Sequence, residues 1–428
     1  MRRVLFIATL FVSATIWSQQ LSSLYKSGEI KLIPDAEYAK NTDWNKLFTD
    51  YKKINWGEKI FGINKQIVIA PDGSIFMSLH THHSISKFDK NGKFLKEFGQ
   101  KGKKASDFKF TPNVEDILEG KYLYTSSADG RLHFFDLNGN WIKTLELKYM
   151  PLGTVPLSNG IIAILGYASA KNSYNRIISL LNFNDGKEKI IASEFEAYES
   201  DKNICIHPYN FTDKDGKVQK KGEIINISSP YMSLGFYKPR LATTANKNLV
   251  VAYPESGKVE ILDNTGKIIR QFNPDIKPEA FTKEDKEKSY EKSVSVLKKL
   301  ETEYKSKTTD KAYLDDFNAQ CKQQLEKIRN PANYPTNLPY FSEMIVDSEN
   351  NILLFRFTRE QGSNKFDVYT YDSQGTKIAT SSFVSDKYDL KINPSVFKFY
   401  KGSIYSVVKL KGASGNSIRL VKFDLKKN

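Results

Sequence analysis

The chain has 428 residues, of which 40% are hydrophobic and 13% aromatic, and its formal net charge at pH 7 is +15. A chain of about 400 residues can bury a large core and form a single closed β-architecture. Lysine is spread along the chain rather than clustered, so the charge indicates a solvated, lysine-rich surface in preference to affinity for acidic polysaccharides or anionic surfaces. The chain has no aromatic-basic module, which argues against a nucleic-acid partner.

The N-terminal residues have the pattern of a secretory signal peptide. Arg2 and Arg3 precede a largely apolar run of fourteen residues, 4–17, and small and polar residues follow at 18–20. A helical run of fourteen residues is only about 21 Å long at ~1.5 Å per residue, short of the ~30 Å of hydrocarbon, which disfavours the alternative of an uncleaved anchor. We therefore predict a signal peptide over residues 1–19. The mature protein is expected in the periplasm or outside the cell, without a membrane span.

The chain has two cysteines, Cys205 and Cys321. In an exported chain, two cysteines can form one disulfide. Cys321 stands at an apolar position of a predicted helix and Cys205 in an irregular segment, which favours two buried free thiols. No metal-binding cysteine spacing exists, and no cofactor is expected.

A strand followed by the same short polar turn occurs six times along the chain. Each turn begins with Asp or Asn, and all but the last, which the chain end truncates, continue to Gly. Gly and Asn accept the positive φ of tight turns, and Asp side-chain oxygens can cap the turn amides, so we expect these Asp residues to be structural. The six turns begin at Asp89, Asp136, Asn182, Asp263, Asp372 and Asp424.

A second polar turn precedes each of these turns, so each unit is predicted to contain four antiparallel strands. The first three turns are 47 and 46 residues apart, measured from Asp89 to Asp136 to Asn182. Four strands in about 45 residues are typical of a propeller blade. The sequence therefore predicts an all-β fold, a six-bladed β-propeller of four-stranded antiparallel blades over residues 63–428.

The last unit ends within its third strand, over residues 417–423, and its fourth strand is missing. Residues 28–34, within an N-terminal segment over 20–62, can supply that strand. We expect them to complete the last blade and close the ring, because closure removes an exposed sheet edge.

Two insertions interrupt the repeat. The first, roughly 193–240, is polar, and we expect a hairpin tip at 214–217. The second, about 278–330 between blades four and five, is predicted to be a helical hairpin, because apolar residues recur at helical spacing in two stripes. It should lie on the face that carries the turns between strands two and three, where long insertions often shape a binding site. The stripes are Tyr290, Val294, Leu297, Leu300 and Tyr304, then Leu314, Phe317, Cys321, Leu325 and Ile328.

Residues 86–102 resemble an NHL-type repeat, in which a strand, an Asp-x-x-Gly turn, a second strand and a Gly-x-x-Gly loop follow in order. Asp89 begins the turn, Gly92 ends it, and Gly99 and Gly102 belong to the loop. From about residue 63 to 424, the chain resembles the exported six-bladed β-propeller proteins common in Bacteroidetes, an NHL/TolB-like family. The resemblance implies the propeller fold and export, and most members of the family have no assigned activity.

Three of the five histidines, His80, His82 and His83, lie between strands two and three of the first blade. His80 and His82 are two residues apart in an extended segment, so they could point to one side and bind a metal. In propeller relatives with lyase or lactonase activity, His or carboxylates from several blades hold the metal. Blades four to six have no histidine here, which favours surface histidines in a turn over a metal site.

Polar residues of other blades are predicted on the same face and could form a ligand-binding rim with these histidines. The alternative for each one is an ordinary polar turn residue. No Gly-x-Ser-x-Gly elbow and no cysteine with a nearby histidine supports nucleophilic catalysis. The candidate ligand-binding residues are His80, His82, His83, Asp129, Tyr253, Glu255, Arg356 and Arg359, with Glu360 beside them.

Together these patterns predict a secreted binding or scaffold protein. It would engage a glycan, a peptide or a partner protein through the face that carries the helical hairpin. The alternative is a metal-assisted hydrolase or lyase acting on a small molecule or sugar in the central channel. Convergence of His80 or His82 with carboxylates of other blades, within ~2–3 Å of one point, would favour the enzyme.

Overall fold

A computed structural model describes most of the chain, with gaps. The signal-peptide residues, the turn 79–82 and the expected hairpin tip lie outside the described residues. The described ranges are 21–47, 66–78, 83–170, 173–193, 205–212, 218–225, 238–307, 311–330, 334–358, 364–392, 394–412 and 418–427.

Four antiparallel sheets of four strands, I to IV, follow one another along the chain, and in each the strands lie in sequence order. The strands are numbered from β1, which is Glu29–Pro34. Sheet I comprises β2 (Gln66–Ile69), β3 (Ile75–Ser78), β4 (Ile85–Phe88) and β5 (Phe94–Phe98). Sheet II comprises β6 (Asn113–Leu118), β7 (Tyr122–Ser126), β8 (Arg131–Asp136) and β9 (Trp141–Glu146). Sheet III comprises β10 (Met150–Pro156), β11 (Ile161–Ala170), β12 (Ser173–Asn182) and β13 (Glu188–Ser193). Sheet IV comprises β16 (Arg240–Thr243), β17 (Leu249–Ala252), β18 (Val259–Leu262) and β19 (Ile268–Phe272).

A hairpin and a larger sheet account for the other strands. The hairpin pairs β14 (Cys205–Thr212) with β15 (Val218–Ile225), so the hairpin expected around 214–217 is present, although its tip lies outside the described residues. A nine-stranded sheet has the order β20-β21-β22-β23-β1-β27-β26-β24, and β25 also pairs with β26. Its further members are β20 (Phe341–Val346), β21 (Ile352–Arg356), β22 (Lys365–Tyr371), β23 (Lys377–Val384), β24 (Tyr388–Asp389), β25 (Phe397–Tyr400), β26 (Ser403–Leu410) and β27 (Ile418–Lys427).

The repeated four-stranded antiparallel sheets confirm the predicted all-β class, and such a sheet is the building unit of a β-propeller. The second strands β3 and β17 bury every residue, whereas the outermost strands β5 and β19 expose nearly all of theirs. The second strands are continuous apolar runs because neighbouring sheets cover both of their faces.

The described helices are α1 (Trp44–Leu47), α2 (Lys283–Lys307) and α3 (Lys311–Arg329), and residues 21–25 are also helical. α2 and α3 follow β19 and precede β20, and they pack against each other. Leu297, Phe317 and Cys321 are buried in them. Cys321 is a free thiol, as the sequence predicts, and burial raises its pKa to about 11. Nothing is described of the Cys205 side chain.

The described residues form six hydrophobic clusters. Four of them pack sheet I against sheet II, II against III, III against IV, and IV against the nine-stranded sheet. A fifth lies within the nine-stranded sheet, between β20–β23 and β25–β27. The sixth joins sheet I to β26 and β27, so the beginning and the end of the strand series are packed together. Pairs of residues that share a cluster are Phe76 and Leu123, Phe134 and Ile164, Leu165 and Val251, Ile261 and Leu354, Phe355 and Phe423, and Phe88 and Leu420.

The N-terminal strand β1 lies between two strands from the C-terminal part of the chain. It pairs antiparallel with β27, from Ile30 opposite Lys427 to Pro34 opposite Phe423, which is the pairing expected for residues 28–34. On its other edge it pairs parallel with β23, with Ile30 opposite Phe383. The sequence pattern does not predict this second pairing.

A buried hydrogen bond fixes the segment that precedes β1. The Tyr25 hydroxyl donates to Asp347 Oδ2 at 2.7 Å, and both residues are buried. The Leu21 amide donates to Glu349 Oε1 at 3.1 Å in the same turn. Burial raises the pKa of Asp347 above its usual value, and hydrogen bonds from Asn351 and Tyr25 offset only part of that rise.

Replacement of Tyr25 by Phe is expected to lower the free energy of unfolding by about 1–3 kcal/mol, because it leaves a buried carboxylate without one of its donors. Urea unfolding followed by tryptophan fluorescence measures the loss. Tyr400→Phe is the matched control, since it removes a hydroxyl whose hydrogen bond to the Pro71 carbonyl, at 2.8 Å, is exposed. Equal losses in the two variants would contradict the anchoring role of Tyr25.

Four polar turns confirm the structural role predicted for their Asp residues, whereas the turn expected at Asp424 is absent because Asp424 lies within β27. Asp89 Oδ1 accepts hydrogen bonds from the amides of Asn91, at 2.9 Å, and Lys93, at 2.8 Å. The same pair of bonds recurs at Asp136, Asp263 and Asp372. Gly92 ends the first turn with φ 79°, and a Cβ on it would lie 2.6 Å from the Ala39 Cβ.

Asp89→Ala is expected to cost about 1 kcal/mol of folding stability, because two turn amides lose their acceptor. The exposed Glu146 of β9 supplies the control, Glu146→Ala, for which the loss should stay below about 0.5 kcal/mol. Both are read from thermal and urea unfolding. An unchanged unfolding midpoint in Asp89→Ala would show that the turn does not need this side chain.

Candidate functional site

Asp129, one of the predicted rim residues, is held within its own turn. The Arg131 Nε donates to Asp129 Oδ2 at 2.6 Å, and the Ser127 hydroxyl donates to the other oxygen. Burial would raise the pKa of Asp129, but these two hydrogen bonds and the charge of Arg131 outweigh it and hold the pKa below its usual value. Asp129 is therefore an ionised member of a turn network, and ligand binding by it remains a prediction.

Three other predicted rim residues belong to different sheets: Tyr253 and Glu255 follow β17 of sheet IV, and Arg356 ends β21 of the nine-stranded sheet. The Tyr253 hydroxyl donates to Glu260 Oε2 at 2.8 Å, and the Lys258 ammonium lies 4.6 Å from the centre of the Tyr253 ring. Glu255 and Arg356 are half-buried. These two contacts of Tyr253 lie within sheet IV, and they do not test its proposed part in a shared rim.

The histidines give no described metal site. His83 is half-buried, whereas His80, His82, Arg359 and Glu360 lie outside the described residues. In the described part of the chain, no group of three or more His, Cys, Asp and Glu residues could hold a metal ion. His133 is buried in β8 with its Nδ1 3.0 Å from the Thr144 hydroxyl, and burial lowers its pKa to about 4, so it is neutral at pH 7.

Charged side chains that the sequence analysis did not single out converge where the first strands of several sheets meet. β6 lies beside β2 and β10, β10 beside β16, and β16 beside β20. Glu115, Arg240 and Glu343 lie on those first strands, Lys238 lies just before β16, and Arg176 lies in β12. We call them the central charge cluster; its members are Glu115, Asp116, Arg176, Lys238, Arg240, Glu343, Lys391 and Lys398.

Arg240, at the start of β16, is the most firmly anchored member. Its Nε lies 3.0 Å from Glu343 Oε2, and Nε and Nη2 donate to the Ser342 carbonyl at 2.9 and 2.7 Å. Its Nη1 donates to the Lys238 carbonyl at 2.8 Å. Ser342 is an extra residue in β20, opposite no partner in β21, and this β-bulge aims its carbonyl and Glu343 at Arg240. The guanidinium therefore links sheet IV to the nine-stranded sheet.

Glu115 occupies a second β-bulge, in β6, where it has no partner in β7. Its Oε1 accepts from the Ser126 hydroxyl, and its Oε2 accepts from the Thr154 hydroxyl of β10 at 3.1 Å. The Tyr124 hydroxyl lies 3.1 Å from the same Thr154 oxygen. Burial raises the pKa of Glu115, although these hydrogen bonds and the nearby charge of Lys398 oppose the rise.

Four charged residues of the cluster act on the Lys238 ammonium. Burial lowers the pKa of its ammonium to about 8; the charges of Arg240 and Arg176 lower it too, while Glu343 and Glu115 act in the opposite direction. Among the described residues, the Lys238 ammonium has no hydrogen-bond or salt-bridge partner. It is therefore a half-buried cation that faces two arginines without a direct counter-ion.

The cluster has an excess of positive charge. Burial also lowers the pKa of Lys391, although Glu343 opposes this change. With Lys398 and Asp116, whose charges both act on Glu115, the cluster contains five basic and three acidic side chains. An enclosed site of one predominant charge concentrates the electrostatic field and attracts ligands of the opposite charge. The arrangement can therefore hold a negatively charged group.

Only a weak pattern in the sequence indicates this cluster. The first strand of a blade should be apolar, yet charged residues stand in or beside such strands at Glu115, Lys238, Arg240, Glu343 and Lys398. Sequence spacing cannot bring them together, because 228 positions separate Glu115 from Glu343 and only the packing of neighbouring sheets makes them adjacent.

No protein-family model and no curated protein matches this sequence. Among solved structures, it is similar to a DUF4221-family protein from Bacteroides vulgatus, at 11% identity and a TM-score of 0.49, with 94% of this chain and 99% of that chain covered. It is similar to a protein classed as exported from Bacteroides fragilis, at 10% identity and a TM-score of 0.44, with 85% and 90% covered. It is also similar to virginiamycin B lyase from Staphylococcus aureus, at 12% identity and a TM-score of 0.38, with 85% and 95% covered. At these values the likenesses carry no inference about activity.

No helix among the described residues has both the length and the apolar character needed to cross a bilayer.

The lowered pKa of Lys238 predicts a specific dependence of stability on pH. Above about pH 8 the folded chain has lost this proton, whereas the unfolded chain keeps it up to about pH 10.4. The unfolded state then binds more protons, so the contribution of Lys238 to stability rises with pH in this window. The unfolding free energy of the wild type, relative to Lys238→Met, should rise by about 1 kcal/mol between about pH 7.5 and 9.5. A difference that stays constant over this range would contradict the lowered pKa.

Proposed function

We propose that this chain is an exported six-bladed β-propeller that acts as a binding or scaffold protein and takes its ligand at the central charge cluster. The six blades are sheets I to IV, β20–β23, and β25–β27 completed by β1. The six hydrophobic clusters support this count, because each one falls at a boundary between two of these blades and a ring of six blades has six interfaces.

In this arrangement α2 and α3 form an insertion between the fourth and fifth blades. Alternate strands of an antiparallel meander run in the same direction, so the segment that enters β20 lies at the end where β16 also begins. Lys238 and Arg240 are at the start of β16, and Glu343 is near the start of β20. This supports ligand entry from the face that carries the helix pair.

The observation that carries the proposal is the convergence on Lys238 of charged groups from several sheets. Sites where a few polar groups from different elements converge at the centre of a fold are typical of ligand binding. Strongly perturbed pKa values also concentrate at such sites. The ligand is a glycan, a peptide or a segment of a partner protein that places a polar group at the centre of the ring.

Binding arrays test this proposal. The purified mature protein, fluorescently labelled, is applied to glycan and peptide arrays beside two charge-reversal variants. Lys238→Glu reverses the central ammonium and should abolish specific binding. Lys267→Glu makes the same change at an exposed turn of sheet IV, at the opposite end of its strands, and should leave binding unchanged. Urea unfolding confirms that both variants are folded.

Two outcomes would contradict the proposal: specific binding that Lys238→Glu retains at the level of the wild type, or no specific binding by the wild-type protein on either array. The first would place the binding surface elsewhere on the protein, and the second would remove the binding function.

A further inference from the structure

The central charge cluster also indicates the chemistry of its ligand, and this inference rests on the function proposed above. Two acidic residues act on Lys238, and both are engaged by other groups. Glu343 is paired with Arg240, and each carboxylate oxygen of Glu115 accepts a hydrogen bond from a hydroxyl group. Neither carboxylate therefore lies in direct contact with Lys238, which keeps its excess positive charge.

The surrounding cations repel one another. The charges of Arg240 and Arg176 act on Lys238 to favour loss of its proton, which is the effect of like charges in an enclosed site. An uncompensated buried charge is costly, and the cost falls when a counter-ion with good hydrogen-bonding geometry is present. A bound anion would convert repulsion among these side chains into attraction to a common partner.

The donor groups suit an oxygen anion in particular. Lysine ammonium groups are compact donors with three N–H bonds, and arginine presents a planar fork that matches carboxylate, sulfate or phosphate oxygens. Two arginines from different sheets, Arg240 of β16 and Arg176 of β12, act on Lys238. An oxyanion beside Lys238 would have cations from sheets III and IV around it.

We propose that the central charge cluster binds an oxyanion group of its ligand, a carboxylate, sulfate or phosphate, with Lys238 as the main cationic contact and Glu115 as the residue that limits affinity. Glu115 stands beside the cations from the adjacent sheet, and its negative charge repels a bound anion. In Glu115→Gln, one of the hydroxyl groups of Ser126 and Thr154 can donate to the glutamine carbonyl and the other can accept from its amide nitrogen.

Isothermal titration calorimetry with the full mature protein tests this proposal at pH 6.5 and low ionic strength. The probes are D-glucuronate, its neutral counterpart D-glucose, potassium sulfate and potassium phosphate. Binding of glucuronate without glucose assigns the site to an acidic sugar. Binding of sulfate or phosphate alone assigns it to a free inorganic anion. The affinity of the anion should fall with added salt.

Three variants assign the roles of the residues. Lys238→Met should weaken anion binding at least about tenfold, because it removes a charge-assisted hydrogen bond. Glu115→Gln should strengthen it severalfold, because it removes a repulsive charge and keeps the shape of the side chain. Lys267→Met, at an exposed turn, should stay within about twofold of the wild type.

Proton linkage gives a second readout that depends on Lys238 alone. A bound anion should raise the pKa of this ammonium from about 8. At pH 8, binding should then take up roughly half a proton, seen as a dependence of the binding enthalpy on the ionisation enthalpy of the buffer. The uptake should disappear in Lys238→Met, where anion binding persists through the other cations.

The oxyanion proposal is overturned if none of the three anions binds, if glucose binds as tightly as glucuronate, or if Lys238→Met binds the anion as well as the wild type. The outcome for the proposed function is separate. If a neutral glycan or an uncharged peptide binds on the arrays and loses its binding in Lys238→Glu, the protein binds ligands at the centre of the ring but does not select them by charge.

Discussion

The position of β1 between β27 and β23 is the constraint on which the rest of the structure depends. Ile30 and Leu32 are buried in one cluster with Phe383 and Phe423, so the two ends of the chain share a core. The hydrogen bond from Tyr25 to Asp347 holds the preceding segment against the same sheet. Because β1 comes from the N-terminal part of the chain and pairs with two strands from the C-terminal part, it joins the two ends of the chain in one sheet.

The packing of β6, β10, β16 and β20 beside one another brings several positive charges close together, which is unfavourable for folding. Burial, and then the charges of Arg240 and Arg176, lower the pKa of Lys238, which shows that its charged form is disfavoured in the folded protein. The salt bridge of Arg240 to Glu343 and its bonds to main-chain carbonyls offset part of this cost, but the excess of basic side chains remains. Groups that destabilise a fold in this way are typical of sites shaped by function rather than by stability.

The outer strands show how the repeated sheets avoid pairing with one another. In β5, β9, β13, β19 and β23, one extra residue follows the polar turn and breaks the register with the neighbouring strand. Such bulges twist an edge strand away from the geometry that a second strand needs. The edge of β23 is covered by β1, whereas those of sheets I to IV carry exposed apolar residues, including Leu95, Ile142 and Ile269.

The sequence by itself determined the all-β class, the four-stranded unit, the role of the Asp turns and the strand that pairs with β27, because each depends on residues close together or on a repeated local pattern. Asp89 and Gly92, for example, act within one turn. The central charge cluster was decided by tertiary structure alone, since its members are dispersed along the chain and meet only when neighbouring sheets pack. Their repulsion, their burial and the lowered pKa of Lys238 follow from that packing and have no counterpart in the spacing of the residues.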